Sequence, residues 1–524
     1  MRRVFLLLAA YGVINAIAYS CLLPLWEGFD EAYHYGYVQY LSTNLRLPVL
    51  GPGVLSREIF HSFQYQPVSH YLQGTTGAPL NFTEYFAMPP EERARLRQQL
   101  ESLPGGEKFE PQPDKPNYEL NQAPLPYIFM AAIDRVLRNQ PLPTRVLWIR
   151  LFSSVVAVLL IAHSTFLLST QLALADRYFA AALFCIFSSQ MLYATICHVC
   201  NDALAVALTG YLIWAAIRVH QTGSPRDCLW LGLVTSAALL SKAYFLFLTP
   251  LALGWIGWAL WRRRATLRGA ACFLTPIMLL AGPWFVRNLI LYHDLSGTMQ
   301  KTGGLGPRQL LQAAMDLPWV ESIVSMAHSS LWTGNNSFTT FSANTLDIML
   351  LLVAAALALY FIHAKSQIAE WTIVAAAVLF WFALLAATIT FYAGSKHAAI
   401  GAVPWYMQVL LVPVMLLVFL GLTRARRFGR ILAPLIVVLW SYVLIATYLI
   451  KLVPLYGGFP VSRRIWRELP GLYCDRWGQL NTMLRTVCPA SAAVLWIFIG
   501  TAVVLSAVLC VRLVTDFLRA QWPR

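Results

Sequence analysis

Residues 1–35 read MRRVFLLLAAYGVINAIAYSCLLPLWEGFDEAYHY. Two arginines precede an apolar run of about 20 residues, long enough to cross a bilayer as one helix. The run has no convincing small-x-small cleavage site and is read as a retained span rather than a leader. Directly after it comes Trp26-Glu27-Gly28-Phe29-Asp30-Glu31-Ala32-Tyr33-His34-Tyr35. Read as a helix at about 100° per residue, Glu27, Asp30, Glu31 and His34 share a sector of roughly 100°. Acidic groups are costly to place at a membrane boundary, which marks this stretch as functional.

The rest of the chain repeats the membrane signal. It is 58% hydrophobic and only 12% charged over 524 residues, against about 25% charge in an ordinary soluble domain. The net charge of +15 lies in short runs between apolar segments, Arg262–Arg264 and Arg424–Arg430 among them. That is the positive-inside pattern, not a nucleic-acid surface. The fold class is therefore all-α and polytopic, with about twelve spans. They are expected at 4–23, 146–170, 177–197, 202–218, 228–241, 243–260, 268–290, 346–363, 370–392, 404–422, 431–450 and 491–513, with both ends inside. Charge asymmetry favours two helices meeting at Ser241-Lys242 over one continuous helix across 228–260.

Three connections on the outer side are long: 24–145, 291–345 and 451–490. A main region of 1–423 and C-terminal helices of 424–524 follow. MPPEERARLRQQLESL (88–103) reads as a short surface helix, with proline at its start and early glutamates. PGGEKFEPQPDKPNYELNQAPLPY is too rich in proline to be one regular element. Of nine cysteines, seven lie in or beside spans as small apolar fillers. Cys474 and Cys488 share one outer loop, where a disulfide is one reading and free thiols the other. Cys197, His198 and Cys200 lack the second ligand pair that structural zinc needs.

Large loops on one face suggest chemistry on that face. Asp30 and Glu31 can accept a proton, and His34 can position a carboxylate or bind phosphate. The bland alternative is that both acids cap a short helix. Asp202, beside Asn201, reads as a second acid facing Asp30 or as a helix cap. Lys242 and Arg287 are isolated cations at the outer boundary, suited to a lipid phosphate or to snorkelling. Glu27 is expected to face water. His61, His70, Gln64, Gln66, Trp332, Asn335 and Asn336 suit sugar or acceptor contacts, or plain loop packing. No nucleotide-binding loop or nucleophile elbow is present.

Several stretches occur in a characteristic order. Phe29-Asp30-Glu31-x-x-His34 follows the first span, and Leu47-Pro48-Val49 comes next. Asn121-Gln122-Ala123-Pro124-Leu125-Pro126-Tyr127, Asn201-Asp202-Ala203-Leu204 and Ser241-Lys242-Ala243-Tyr244 come after. Gly282-Pro283-Trp284-Phe285-Val286-Arg287-Asn288 then leads to Tyr292-His293-Asp294. Over roughly 1–420 this order resembles the C-type (GT-C) integral-membrane glycosyltransferases. Within them it is most like the bacterial relatives of protein O-mannosyltransferases and the lipid A aminoarabinose transferase.

The resemblance implies a polyprenyl-phosphate-linked sugar donor, an acceptor that is a lipid, glycan or protein, and transfer on the outer face of a bacterial inner membrane. It implies inverting transfer with Asp30 as base and Glu31 and Asp202 in support. Lys242 and Arg287 would bind the donor phosphate, and His34, Gln122, Asn288, Lys396, His397 and Tyr406 would contact substrate. A divalent cation (Mg or Mn) between Asp30 and Asp202 is one option. The chain departs from the family at Pro404-Trp405-Tyr406, where relatives carry an arginine, and Lys396 or His397 is the candidate replacement. Two rivals stay open. One is a transporter or flippase of lipid-linked saccharide without chemistry, and the other an oligosaccharide ligase or polymerase of similar architecture. A transporter needs polar groups running through the mid-membrane, and here they crowd at one boundary.

Overall fold

The first apolar run forms α1 (Arg2–Leu22). Its 20-residue span Arg3–Leu22 rises roughly 30 Å at 1.5 Å per residue, which matches the hydrocarbon core. The computed structural model describes residues 2–51, 53–103, 111–297, 305–365, 367–397, 400–401, 404–459 and 465–519. Among these, ten helices are long and apolar enough to cross a membrane, or eleven if one bent pair is counted as a span. The chain is thus all-α and polytopic, with fewer full-length spans than the twelve expected.

The first long connection folds as a small layer over one end of α1. It holds α2 (Glu31–Asn44), β1 (Val54–Ser56), α3 (Arg57–Tyr65), α4 (His70–Thr76), α5 (Phe82–Ala87), α6 (Pro90–Ser102), β2 (Pro111–Pro116) and α7 (Leu125–Val136). Helix α6 is the expected proline-started surface helix. The proline-rich stretch supplies β2, which pairs antiparallel with β1 so that Val54 faces Pro116 and Ser56 faces Pro111. Its prolines are tolerated because a two-stranded ribbon has only edges.

Next come α8 (Leu142–Gln171), α9 (Asp176–Ser188), α10 (Gln190–Ile196), α11 (Asp202–Thr222) and α12 (Pro225–Leu239). The expected 177–197 span is broken. Helices α9 and α10 meet at 55°, where Ser189 is extended (ψ 103°). The Phe187 carbonyl freed by the bend accepts from Asn15 Nδ2 and Tyr193 Oη, both at 3.0 Å, and Ser189 Oγ accepts from Trp440 Nε1 at 2.9 Å. Helix α12 has only 15 residues. It ends before Ser241-Lys242, so two helices do meet there.

A 3-10 turn (Ala243–Phe247) leads into α13 (Thr249–Trp261). Then follow α14 (Leu267–Pro276), a π-turn (Ile277–Ala281) and α15 (Gly282–Tyr292), which together make one span. Pro276 has no N–H to donate, and the wide turn after it absorbs the missing bond. Helices α16 (Pro307–Asp316) and α17 (Trp319–Leu331) are short. The remaining helices are α18 (Ala343–Ile362), α19 (Ile368–Gly394), a 3-10 turn (Pro404–Leu410) with α20 (Leu411–Arg424), α21 (Arg427–Ala446), α22 (Val453–Tyr456), α23 (Ile465–Cys474), α24 (Trp477–Val487) and α25 (Ala492–Arg519). Helix α25 packs on α1 and α21.

The chemistry-bearing positions all fall at one end of the bundle. They lie at the end of α1, the starts of α11, α13 and α20, and the end of α15. The basic clusters Arg262–Arg264 and Arg424–Arg430 lie at the opposite ends of α13 and α20, where Arg424 forks onto Glu370 at 2.5 and 2.8 Å. Cys474 and Cys488 are both free thiols, one exposed and one buried. Cys488 Sγ contacts the Leu22 carbonyl at 3.2 Å, and of the two readings the structure has the free thiols.

Candidate active site

The acidic stretch is a turn followed by a helix, not one helix. Helix α2 begins at Glu31, and Asp30 is its N-cap residue in the left-handed region at φ 54°. The shared sector expected for Glu27, Asp30, Glu31 and His34 does not form, and the three carboxylates point to three different places.

Asp30 is half-buried. Its Oδ1 accepts a 2.6 Å bond from Tyr118 Oη. Burial pushes the Tyr118 phenol up, and the charge on Asp30 pushes it further, so it stays a donor. Glu31 is fully buried and grips Arg150 with both oxygens, at 2.6 Å to Nε and 2.5 Å to Nη2. The same oxygens accept from the backbone N–H groups of Val199 and Trp26 at 3.0 and 3.1 Å. Arg150 also donates to the carbonyls of Leu23 and Pro24. Glu31 thus acts as a clamp between α2 and α8, with no oxygen left for substrate.

Glu27 does not face water. It is fully buried, and its Oε1 accepts from the Ser69 N–H at 2.7 Å while Oε2 has no partner. Burial pushes its pKa up to about 7, although the Ser69 bond pulls it back.

A second carboxylate stands beside Asp30. Glu119 is buried, and its Oε2 lies 3.7 Å from His34 Nδ1. Burial first, then the charge of Asp30, raises Glu119 to about 8, with Lys242 pulling the other way. Burial, then Lys242 and His198, lowers His34. Burial thus disfavours the charged form of both partners and works against an ion pair here despite the geometry. His34 Nδ1 instead shares a 2.7 Å bond with Tyr127 Oη.

Lys242 is buried at the tip between α12 and α13. Its Nζ donates to Asp202 Oδ2 at 2.5 Å and to Asn201 Oδ1 at 2.9 Å. Burial disfavours the ammonium, but the neighbouring Asp202 overrides this and holds Lys242 above its ordinary value. Asp202 is the first residue of α11, with Asn201 as its cap. Asn201 Nδ2 in turn donates to Gln122 Oε1 at 3.1 Å, which brings Gln122 into the cluster. Tyr406 places its ring 4.6 Å from Lys242 Nζ, and Trp405 stacks on Phe29 at 4.2 Å. Two consecutive residues therefore bridge the neighbour of Asp30 and Lys242.

Arg287 donates to the Pro48 carbonyl and lies 5.0 Å from the Trp284 ring, and its buried Nη1 has no partner. Asn288 is buried and donates to the Leu295 carbonyl at 3.3 Å, with Oδ1 unpartnered. Lys396 and His397 are exposed beyond α19, and the His397 ring stacks on Tyr392 at 4.4 Å. No contact links either to Asp30 or Lys242 among the described residues, so the charge missing at Pro404-Trp405-Tyr406 is not replaced by them. Among the described residues no three His, Cys, Asp or Glu side chains converge as a metal site. Lys242 engages Asp202 Oδ2, while Asp202 Oδ1 is buried without a partner.

Tyr118, Glu119 and Arg150 escaped sequence reading. The signals were there. Tyr118-Glu119 lies one residue before the Asn121-Gln122 motif, and Arg150 is a charge inside an apolar run, which demands a partner.

No protein-family model and no curated protein matches the chain. Among solved structures, it is similar to ArnT from Cupriavidus metallidurans, determined with undecaprenyl phosphate bound. That similarity has a TM-score of 0.46 at 11% identity and covers 97% of this chain and 77% of that one.

Proposed function

We propose that this chain is a membrane glycosyltransferase. It moves a sugar from a polyprenyl-phosphate-linked donor to a hydroxyl of a lipid, glycan or protein acceptor on the extracytoplasmic side. The observation that carries the reading is the Phe29–Trp405 and Tyr406–Lys242 bridge, which puts a half-buried carboxylate and a buried ammonium on either side of an aromatic pair. Aromatic faces suit the apolar face of a sugar ring. The ordered motifs of the GT-C family support the same reading.

In the proposed step the acceptor oxygen attacks the anomeric carbon in line, and the bond from that carbon to the phosphate oxygen breaks. Asp30 takes the acceptor proton through the oxygen that Tyr118 leaves open. The electron pair leaves with the polyprenyl phosphate, whose charge Lys242 stabilises, aided by the free Nη1 of Arg287. Asp202 and Asn201 fix the ammonium. Burial and the charge of Asp30 favour the uncharged form of Glu119, which keeps a second negative charge from standing between base and phosphate. The step inverts the anomeric centre and draws its energy from the activated donor.

Transfer from a panel of polyprenyl-phosphate sugars, comparing wild type with Asp30→Ala, tests this. Wild type consumes at least one donor and the variant does not. Equal turnover removes Asp30 as the base, and lipid movement across vesicles without donor consumption removes the enzyme reading.

A further inference from the structure

Two residues of the turn before α2, Trp26 at φ 69° and Asp30 at φ 54°, are left-handed. For a bulky aromatic this is an outlier, and such backbone persists only where its surroundings over-determine it. Arg150 and Glu27 hold the turn from two sides, as described. Gly28 is required between them, because a Cβ there would lie 2.3 Å from His198 Cβ.

The third support comes from the loop after α17. Asn336 Nδ2 donates to the Gly28 carbonyl at 2.9 Å and to the Trp26 carbonyl at 3.4 Å, and its backbone N–H donates to the Glu27 carbonyl at 3.2 Å. Three successive carbonyls of the turn accept from one buried residue. The loop is itself pinned. Trp332 Nε1 donates to the Thr339 carbonyl at 2.7 Å, and Asn335 accepts from Tyr19. At Gly334, φ 71°, a Cβ would meet the Thr339 nitrogen at 2.6 Å. At the loop's near end the Ser330 carbonyl accepts from Gln408 Nε2 at 2.7 Å. Gln408 belongs to the 3-10 turn that carries Trp405 and Tyr406. Asn335 and Asn336 thus face the protein interior rather than a sugar.

We infer that Asn336 is a positioning residue for the proposed transfer. It fixes the backbone of Trp26–Asp30, and through Ser330 and Gln408 it holds that turn at a set separation from the Tyr406–Lys242 side. The role rests on the transferase reading above. The amide is needed because it donates twice, and an ionised aspartate there would set oxygen against two carbonyls.

The test uses full-length protein in nanodiscs with Asn336→Ala and Asn336→Asp. Both lower kcat on the donor that wild type consumes by on the order of tenfold or more, as small misplacements of a catalytic group do. Binding of polyprenyl phosphate alone stays within about twofold, since Lys242 and Arg287 are untouched. Hydrogen exchange over residues 24–34 rises by about tenfold while α11 and α25 keep wild-type protection. Gln408→Ala, which spares the bonds within the turn, gives the same split in milder form and stands in if an Asn336 variant does not fold. Unchanged exchange at 24–34, or kcat and carrier binding falling together, overturns the assignment. Should wild type consume no donor, the transferase reading fails on its own, and the exchange readout still decides whether Asn336 holds the turn.

Discussion

Lys242 Nζ lies 2.5 Å from Asp202 Oδ2, and neither group is open to bulk water. A buried pair of this kind is weak evidence for stability but a good way to present a fixed positive charge. Lys242→Met should lower kcat/KM by on the order of 10²–10³, the loss seen when one preorganised charge donor is removed. Steady-state kinetics on the consumed donor measure it. A change under about twofold would remove Lys242 from the phosphate site.

The bond from Tyr118 to Asp30 makes a graded prediction. Asp30→Asn should abolish transfer without unfolding the protein. Tyr118→Phe removes one bond to the base, worth about 1.5–3 kcal/mol to a charged acceptor, so turnover should fall by roughly 10- to 100-fold. Melting temperature and turnover, measured on both variants, separate these outcomes from a folding defect.

Glu119, raised to about 8, predicts an alkaline limb. Below that pH it is uncharged, and above it a second carboxylate stands beside Asp30 and repels the donor phosphate. Turnover should fall as pH rises through about 8. Glu119→Gln, which mimics the uncharged acid, should keep activity at neutral pH and flatten the fall. A pH–rate profile unchanged by that substitution would sink the assignment.

Glu27 carries a stability prediction with the same sign. Its folded value, about 7, lies above that of an unfolded glutamate. Its contribution is therefore complete below about 4.5 and is lost as pH rises through about 7, by on the order of 3 kcal/mol. Glu27→Gln should remove that dependence in melts taken between pH 5 and 8.

The Glu31–Arg150 clamp should show the asymmetry of buried ion pairs. Glu31→Gln or Arg150→Met alone costs about 3–5 kcal/mol by stranding the partner, while the double variant recovers part of it. Thermal melts of the three variants read this directly.

Much of the fold is legible in the sequence because span length and charge asymmetry are properties of the chain itself. The break at Ser189 was not, because it depends on neighbours. Trp440 and Asn15 accommodate it. The site was legible as a set of positions. Asp30, Asp202, Lys242 and Gln122 stand out as polar residues at the ends of apolar runs, and the fold joins them. Which carboxylate does what was not legible. Glu31 and Asp30 are adjacent and alike in type, and only the arrival of Arg150 from another helix separates a clamp from a base. Glu27 was misread for the same reason, since its burial is created by Ser69 and Asn336.

The 15-residue α12 has one more consequence. At 1.5 Å per residue it spans roughly 22 Å, short of the hydrocarbon thickness of about 30 Å. A helix this short meets a bilayer of that thickness only where the bilayer thins beside it or flanking side chains snorkel, at a modest cost per ångström of mismatch. On the proposed transferase reading, acyl-chain length in the host membrane would then set how easily a long-chain lipid phosphate reaches Lys242, just past the end of α12.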